Sequence, residues 1–386
     1  MNQHTLLGQL LQMFSRFEFQ KTVNETGTEY HARGFSSWNH YVAMLFGQLA
    51  GQDSLRGIEA GMATQANSLY HLGVRPIHRS TLAYANEHRT HELFKKIFFQ
   101  MLSKCQAVAP RHKFRFKNEV YSMDASIIDL CLSLYDWAKF RTTKGAVKLH
   151  VKLNHSGYLP TFMTVTTGKV HEQKVAPSIP LESGDVAVFD KGYTDFKWYK
   201  SLDDKGVIFV TRLKRNAYYK VVERKDVSKY ENIYSDQVIK LKGFYSSRKF
   251  PDKLRRIRSK DPETGNIIVL LANNFTWSAQ TIAKLYKERW QIELFFKAIK
   301  QQLKVKSFVG TSQNALLSQL WIALIAYLLL SYLKFKSKFK WSIYTLCCIL
   351  PGNLFARRNL WDWLNAPFHE SSKVLLGQMQ LELNFS

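Results

Sequence analysis

The chain has 386 residues, and its 55 Lys and Arg against 30 Asp and Glu give a formal net charge of +25 at pH 7. Hydrophobic residues make up 46% and aromatic residues 14%. This composition allows two or three folded domains and excludes a disordered chain, a collagen, a coiled-coil rod and a disulfide-stapled miniprotein. So basic a folded chain is typical of proteins that bind a polyanion, either nucleic acid or an anionic membrane surface.

The cysteines and the apolar segments describe the cellular setting. The four cysteines form no Cys-x-x-Cys pair, which predicts a reduced, cytosolic protein. The N-terminal segment lacks the pattern of a secretory signal. Residues 315–333 are uncharged and long enough to span a membrane, but Ser318, Gln319 and Ser331 within them favour a buried core helix.

Apolar periodicity divides the chain into five parts. Helical spacing over residues 1–112 predicts an α-helical N-terminal domain. Its scattered His, Arg and Lys indicate a DNA-binding domain, although solvated charges on a helical shoulder also explain them. Strand periodicity begins after Pro110 and predicts an α/β part over 113–211, followed by a β-rich insertion over 212–272. Helical spacing returns over 273–333, and 334–386 form a basic C-terminal segment.

The most informative segment is a basic helix that contains one well-placed carboxylate. Five polar side chains follow at steps of 3, 4, 4 and 3 residues: Tyr286, Arg289, Glu293, Lys297 and Lys300. A continuous helix places them on one stripe, although a solvated face with ion pairs explains the same spacing. Residues 284–306 hold seven Lys or Arg and two Glu. This excess favours contact with phosphates, and it makes Glu293 a candidate metal ligand.

Two aspartates complete a candidate metal site. Asp124 lies within a hydrophobic strand and Asp190 ends another, where Gly192 allows a tight turn. Carboxylates in such positions need a partner, and open α/β sites assemble where strands end. Three other aspartates compete for this role, but their positions favour structural or solvated side chains: Asp129, Asp185 and Asp195.

Other polar residues carry weaker signals. The histidines of the β region, His150, His155 and His171, lack the spacing of a zinc or iron site. Three basic runs interleave aromatic residues with cations, at 113–117, 255–260 and 334–340. Each run suits contact with a DNA backbone or forms a solvated face.

These residues resemble the DDE transposases of insertion-sequence family four, the cut-and-paste group with a Tyr-Arg-Glu-Lys signature. Tyr286, Arg289, Glu293 and Lys300 match every interval of that signature. Asp190-Lys-Gly-Tyr matches the second Asp motif, and Asp124-Ala-Ser the weaker first one. The N-terminal helical segment also resembles a domain that precedes this catalytic domain in many bacterial members.

The resemblance implies an RNase H-like catalytic core with a β-rich insertion, preceded by the α-helical N-terminal domain. It implies two Mg²⁺ ions, or Mn²⁺ as a substitute, held by Asp124, Asp190 and Glu293. Four further residues of the signature helix are expected to contact DNA phosphates near the cut: Tyr286, Arg289, Lys297 and Lys300. Trp290 is expected either to pack in the protein or to stack near the DNA end.

The implied activity is cleavage and joining of DNA strands at insertion-sequence ends. Water attacks at the transposon end, and the freed 3′-OH then forms a hairpin that is reopened before strand transfer. The implied partners are double-stranded DNA, as terminal inverted repeats and target, and a second copy of the chain. The expected location is the bacterial cytoplasm, at the nucleoid, with no membrane contact. Alternatives are an inactive end-binding relative, a membrane-surface basic protein that uses residues 315–333, and a DDE-type nuclease without strand transfer.

Overall fold

A large mixed sheet and a set of N-terminal helices make up the computed structural model, which describes residues 4–30, 32–131, 135–141, 144–303, 305 and 308–367. The strands are β1 (Val120–Leu130), β2 (Lys139–Arg141), β3 (Lys144–Asn154), β4 (Leu159–Thr167), β5 (Val186–Phe189), β6 (Ile208–Arg212), β7 (Tyr219–Lys225), β8 (Ile233–Leu241), β9 (Lys253–Lys260) and β10 (Ile267–Ala272).

Helices surround this sheet and precede it. Within the described ranges they are α1 (Leu6–Leu11), α2 (Arg16–Thr26), α3 (Ser37–Leu49), α4 (Leu55–Ala63), α5 (Ala66–Leu69), α6 (Arg79–His88), α7 (Glu92–Gln106), α8 (Glu172–Val175), α9 (Phe196–Asp204), α10 (Phe244–Lys249), α11 (Ala279–Lys287), α12 (Trp290–Lys297), α13 (Gln313–Lys336), α14 (Ile343–Ile349) and α15 (Leu360–Asn365).

The strand order is β2-β3-β1-β5-β6-β10-β9-β8-β7, and β4 also pairs with β3. Strands β5 and β6 continue the sheet in parallel from β1, whereas β3 is antiparallel to β1. The order β4-β3-β1-β5-β6 with these directions is the RNase H-like arrangement, so the expected α/β fold class is confirmed. The β-rich segment continues the same sheet, because β10 pairs with the edge of β6.

The register of the central strands decides where the acidic residues lie. Strand β1 pairs with β5 from Val120 opposite Val186 to Met123 opposite Phe189. Asp124 and Asp190 each follow the last of these pairs. Both therefore lie at the edge of the sheet formed by the carboxyl end of β5. Sites of open α/β sheets form at the carboxyl ends of their strands.

The N-terminal helices are held by local capping and by a shared apolar core. The side chains of Thr5, Ser15, Ser36 and Ser54 accept hydrogen bonds at the starts of α1 to α4, which satisfies backbone donors that helices leave free. Every residue of α3 is buried. Helix α13 contacts α3, α6 and α7, so this core is continuous with the rest of the chain.

Helix α13 contains the uncharged segment that has the length of a membrane span. Among the described helices it is the one long and apolar enough for that role, and 89% of its most apolar 18-residue window is buried. Ser318 and Gln319 are buried with it, and the Gln319 side chain accepts a hydrogen bond from the Val309 amide. The helix therefore packs as a core helix of the protein, as its polar residues predict.

Candidate active site

The three candidate carboxylates come from different elements. Asp124 projects from β1 towards α12, and Asp190 directly follows β5. Glu293 lies in the first turn of α12. The side chain of Asp124 is 23% exposed and that of Glu293 is 35% exposed. The site is therefore a half-buried cleft at the edge of the sheet.

Arg289 joins two of these carboxylates. Its Nη1 donates to Asp124 Oδ2 over 3.0 Å, and its Nη2 donates to Glu293 Oε1 over 2.5 Å. Asp124 Oδ1 also accepts from the Ala125 amide at 2.8 Å. A planar guanidinium contacts two acceptors with fixed geometry, which an ammonium group does not do. Arg289 thus sets the distance between the carboxylates of β1 and α12.

Tyr286 extends this network to the third carboxylate. Its hydroxyl lies 3.5 Å from Asp190 Oδ1, and the residue is 7% exposed. Burial raises the pKa of Tyr286 to about 12, with Arg289 acting in the opposite direction. Tyr286 therefore stays protonated at neutral pH and acts as a hydrogen-bond donor towards Asp190.

Asp124 is in an environment that disfavours its charge. Burial raises its pKa to about 6. The Ala125 amide and Arg289 lower that pKa, whereas the carboxylates of Glu293 and Asp190 raise it further. Perturbed pKa values are common at functional sites. A nearby cation would favour the charged form of this carboxyl group, which burial and two neighbouring carboxylates disfavour.

The signature residues do not lie on one continuous helix, and this part of the sequence prediction is wrong. The helix is interrupted between α11 and α12. There, the amides of Arg289 and Gln291 donate to carbonyls three residues earlier instead of four. Two side chains at this interruption bond to the central part of the chain. Tyr158, in the turn before β4, donates to Glu288, and Arg289 donates to Asp124 of β1. The break turns Arg289 towards the carboxylates.

Three further predicted DNA contacts lie along and beyond α12. Lys297 is exposed, and Trp290 is 56% exposed. Lys300 lies in a π-helical turn, Ala298–Gln302, and its Nζ donates to the Ile127 carbonyl of β1. Single π-helical turns are often found at functional sites. The exposed Trp290 ring is open to a ligand and does not pack in the core.

The oxygen donors of this edge are of the type that a divalent cation binds. Within the described ranges, no three His, Cys, Asp or Glu side chains are arranged to hold a metal ion. The guanidinium of Arg289 lies between Asp124 and Glu293 and provides the positive charge there. Carboxylate oxygens are the ligands that Mg²⁺ prefers, so the residue types at this edge suit the ion.

The competing acidic residues have other surroundings. Asp129 is exposed on β1, away from the cleft. Asp185 accepts from the Glu182 amide, and Asp195 caps α9 by accepting from the Lys197 amide. These contacts agree with the structural or solvated positions that the sequence favours.

The histidines of the β region are also engaged away from the cleft. His150 bonds to Thr166 at 2.9 Å and His155 to Ser122 at 2.7 Å, while His171 is exposed before α8. Burial lowers the pKa of His150 to about 4 and that of His155 to about 3. Both buried rings are therefore neutral at pH 7.

Two further residues lie beside this edge: Tyr193, which belongs to the Asp190-Lys-Gly-Tyr motif, and Glu172, which sequence reasoning missed. The Tyr193 hydroxyl is buried without a hydrogen-bond partner among the described residues, and burial and the nearby Asp124 and Glu172 raise its pKa. Glu172 pairs with Lys148 at 3.0 Å, close to Gly192. The sequence signal of Glu172 is weak, because it is distant from Asp190 in the sequence and comes close to this edge only when the chain folds.

Trp277 and Arg255 are held by contacts within the protein. Trp277 stacks on Phe116 with ring centroids 4.1 Å apart, so it packs inside the protein. Arg255, the first residue of one basic run, is 2% exposed and forms a double hydrogen bond with Asp236. Arg255 is therefore a structural ion pair and does not contact DNA.

The comparisons with known proteins agree with this fold. The Transposase DDE domain model matches residues 115–329, and Domain of unknown function (DUF4372) matches residues 2–75. A putative transposase of Sinorhizobium fredii is 32% identical over 72% of this chain and 78% of its own length. A probable transposase for insertion sequence element IS5377 of Geobacillus stearothermophilus is 28% identical over 88% of this chain and 87% of its own.

A solved structure gives a more distant likeness. The piggyBac transposase synaptic complex with hairpin DNA aligns over 86% of this chain and 73% of that chain, with a TM-score of 0.40 and 10% identity.

The fold and the matched domain define an enzyme that processes DNA. The chain belongs to the DDE transposase family, since that family's model covers more than half of its residues. The matches agree with a transposase of insertion-sequence family four, as the Tyr-Arg-Glu-Lys signature predicts. It therefore cleaves DNA strands and transfers them, and enzymes of this family generally use divalent metal ions.

Proposed function

We propose that Asp124, Asp190 and Glu293 are the catalytic carboxylates of this transposase. The observation that supports them most is the network at the sheet edge, where Arg289 joins Asp124 to Glu293 and Tyr286 reaches Asp190. Residues from two strands and one helix converge there from positions up to 169 residues apart in the sequence (293 − 124). A solvated ion-pair face would not bring a buried aspartate of β1 into the network.

These carboxylates would hold two Mg²⁺ ions, or Mn²⁺ as a substitute. When bound, such ions lower the pKa of the attacking water and stabilise the leaving oxygen at phosphorus. Arg289, which holds Asp124 and Glu293 in place, would also contact a DNA phosphate near the cut. Tyr286, Lys297 and Lys300 position the same strand, and the exposed Trp290 ring stacks at the DNA end.

The substrate is double-stranded DNA at the terminal inverted repeats of an insertion sequence, and then a target DNA. The attacking oxygen forms a new bond to phosphorus while the 3′ oxygen leaves with the electron pair of the broken bond and takes up a proton. The freed 3′-OH attacks the opposite strand to form a hairpin that is later reopened. A homodimer bridges two ends, in the bacterial cytoplasm at the nucleoid and without membrane contact.

Metal-dependent cleavage of DNA that carries the element's own ends tests this assignment. We expect the wild-type protein to cut in Mg²⁺ or Mn²⁺, and Glu293→Gln and Asp124→Asn to bind the ends without cutting. Asp129→Asn is a matched control, because it neutralises an exposed carboxylate of the same strand. The control is expected to cut like the wild-type protein.

The other outcomes are equally informative. Equal cleavage by wild type and Glu293→Gln would show that the metal site lies elsewhere. End binding without cleavage by every variant, the wild-type protein included, would identify an inactive end-binding relative.

A further inference from the structure

A loop ahead of the central strand displays cations on one side and aromatic rings on the other. In residues 111–117, exposed cations alternate with half-buried rings. The exposed positions are Arg111, Lys113, Arg115 and Lys117. The inward rings are His112, Phe114 and Phe116, which stack in sequence towards Trp277. The loop therefore turns all of its charge to solvent.

This loop is rigidly held. Phe116 lies between Phe114, at 5.2 Å, and Trp277, at 4.1 Å, with both ring pairs within about 11° of parallel. The Phe114 amide donates to His112 Nδ1, so His112 Nε2 carries the proton and donates to the Asn118 carbonyl at 2.8 Å. The cations are thus presented from a fixed backbone, which lowers the entropy cost of binding a ligand.

A second basic segment lies beside the first. The chain after Leu333 exposes four more cations: Lys334, Lys336, Lys338 and Lys340. An ideal Cβ on Gly157 would lie 2.8 Å from Phe335 and 2.9 Å from Ala109. Both segments therefore flank the turn between β3 and β4, and we call the eight exposed cations the basic flank.

The two segments of the basic flank contain no acidic residue. Residues 104–118 and 333–361 contain no Asp or Glu. Among the described residues, none of the eight cations lies in an ion pair. Glu119, the next acid along the chain, and Glu288, which lies beside the same turn, accept hydrogen bonds from Asn154 and Tyr158 and form no ion pair with the flank in the described part of the chain. Such a surface attracts a polyanion.

We propose that the basic flank is a second DNA-binding surface, which holds the sugar-phosphate backbone of a duplex without reading its sequence. It rests on the proposed function only in taking DNA as the ligand. The flank lies where β1 begins, and the four residue steps from Val120 to Asp124 span about 13 Å. DNA held there lies beyond the cleavage site, so the flank grips a part of the duplex, or a second duplex, that the carboxylates do not touch.

Salt dependence of binding to a linear duplex of arbitrary sequence, in metal-free buffer, tests the proposal without any cleavage. The first variant of the full-length protein combines Arg111→Gln, Lys113→Gln, Arg115→Gln and Lys117→Gln. The second combines Lys334→Gln, Lys336→Gln, Lys338→Gln and Lys340→Gln. Each lost phosphate contact lowers the slope of log K against log salt by about 0.9, so we expect each variant to lower it by about 2 or more.

A matched control removes the same charge elsewhere. Lys220→Gln, Lys229→Gln, Lys240→Gln and Lys253→Gln neutralise four exposed lysines of the β-rich segment. Lys113→Arg with Lys117→Arg keeps the charge of the flank and is expected to keep the slope. Slopes that stay unchanged in both flank variants, or that fall equally in the control, would overturn the proposal. So would a loss of binding to phosphatidylserine vesicles with DNA binding intact. Because the binding buffer contains no metal, this test does not depend on the outcome of the cleavage experiment with Glu293→Gln.

Discussion

Arg289 and Asp124 form a 3.0 Å hydrogen-bonded ion pair, although 165 positions separate them in the sequence. The same guanidinium reaches Glu293 one helical turn away. One side chain therefore links α12 to β1 and places a positive charge beside a carboxylate whose burial raises its pKa to about 6. Arg289 occupies the place that a cation between these carboxylates would take.

Arg289→Lys keeps the charge but removes the fork that contacts both carboxylates. We expect cleavage of end DNA to fall by about 10²-fold, the loss typical of a small misplacement of catalytic groups. Binding to end DNA in metal-free buffer should fall much less. Lys284→Arg, an exchange at an exposed position of α11, serves as the control. Cleavage at the wild-type rate by Arg289→Lys would mean that the fork has no role.

Local sequence patterns predicted much of this arrangement. The placement of Asp124 and Asp190 follows from strands that can be read from alternating apolar residues. The break before Arg289 was not predictable, because Tyr158 and Asp124 hold it from positions 130 and 165 residues away. The roles of the site residues remain predictions.

The basic run 255–260 shows a second limit of sequence patterns. Arg255 and Arg258 have the same residue type and lie three positions apart, yet Arg255 is buried and Arg258 is exposed. The face of the sheet decides this difference, because residues three apart on a strand point to opposite faces. Asp236 accepts hydrogen bonds from Arg255 on the buried face. A run of cations alone does not contain that information.

Trp290, within the signature segment, and Trp277, just before α11, should respond differently to substitution. Trp290 is 56% exposed, so Trp290→Ala should leave the free energy of unfolding nearly unchanged. It should weaken DNA binding by about 1–3 kcal/mol, the value of one base–aromatic stack. Trp277→Leu should lower the free energy of unfolding by about 1 kcal/mol through its lost stack on Phe116. Denaturant unfolding and DNA titration separate the two; the reverse pattern would assign the contact to Trp277.

His40 links the stability of the N-terminal helices to pH. It is buried between helices, and its Nε2 lies 2.7 Å from Asn86 Oδ1. Burial lowers its pKa to about 4, against a weaker opposite effect of Asn86. Between pH 6.5 and 4 the unfolded chain therefore binds more protons, and the free energy of unfolding falls as the pH falls.

His40→Gln keeps a donor for Asn86 and removes this titration. Between pH 7 and pH 5, we expect the wild-type protein to lose about 2 kcal/mol more stability than the variant. Denaturant unfolding at both pH values measures the difference. His88→Gln, at an exposed position of α6, should follow the wild-type protein. Equal pH dependence in wild type and His40→Gln would show that His40 is not the titrating group.

Alanine substitutions at Gly157 and Gly265 distinguish the cost of backbone strain from the cost of crowding by neighbouring atoms. Their φ angles are +72° and +71°, so an alanine at either position adopts a left-handed conformation that costs about 1–2 kcal/mol. At Gly265 a Cβ would meet nothing within 4 Å, whereas at Gly157 it would meet Phe335 and Ala109 below 3.0 Å. Crowding is therefore expected at one position only.

Gly157→Ala should lower the free energy of unfolding by about 1–3 kcal/mol more than Gly265→Ala, since the Ala109 methyl moves only with its backbone. Denaturant unfolding of both variants measures this difference. The same crowding pushes apart the two segments that carry the basic flank, so Gly157→Ala should also lower the salt slope of DNA binding while Gly265→Ala does not. Equal destabilisation by the two alanines would show that the segments do not pack against this turn.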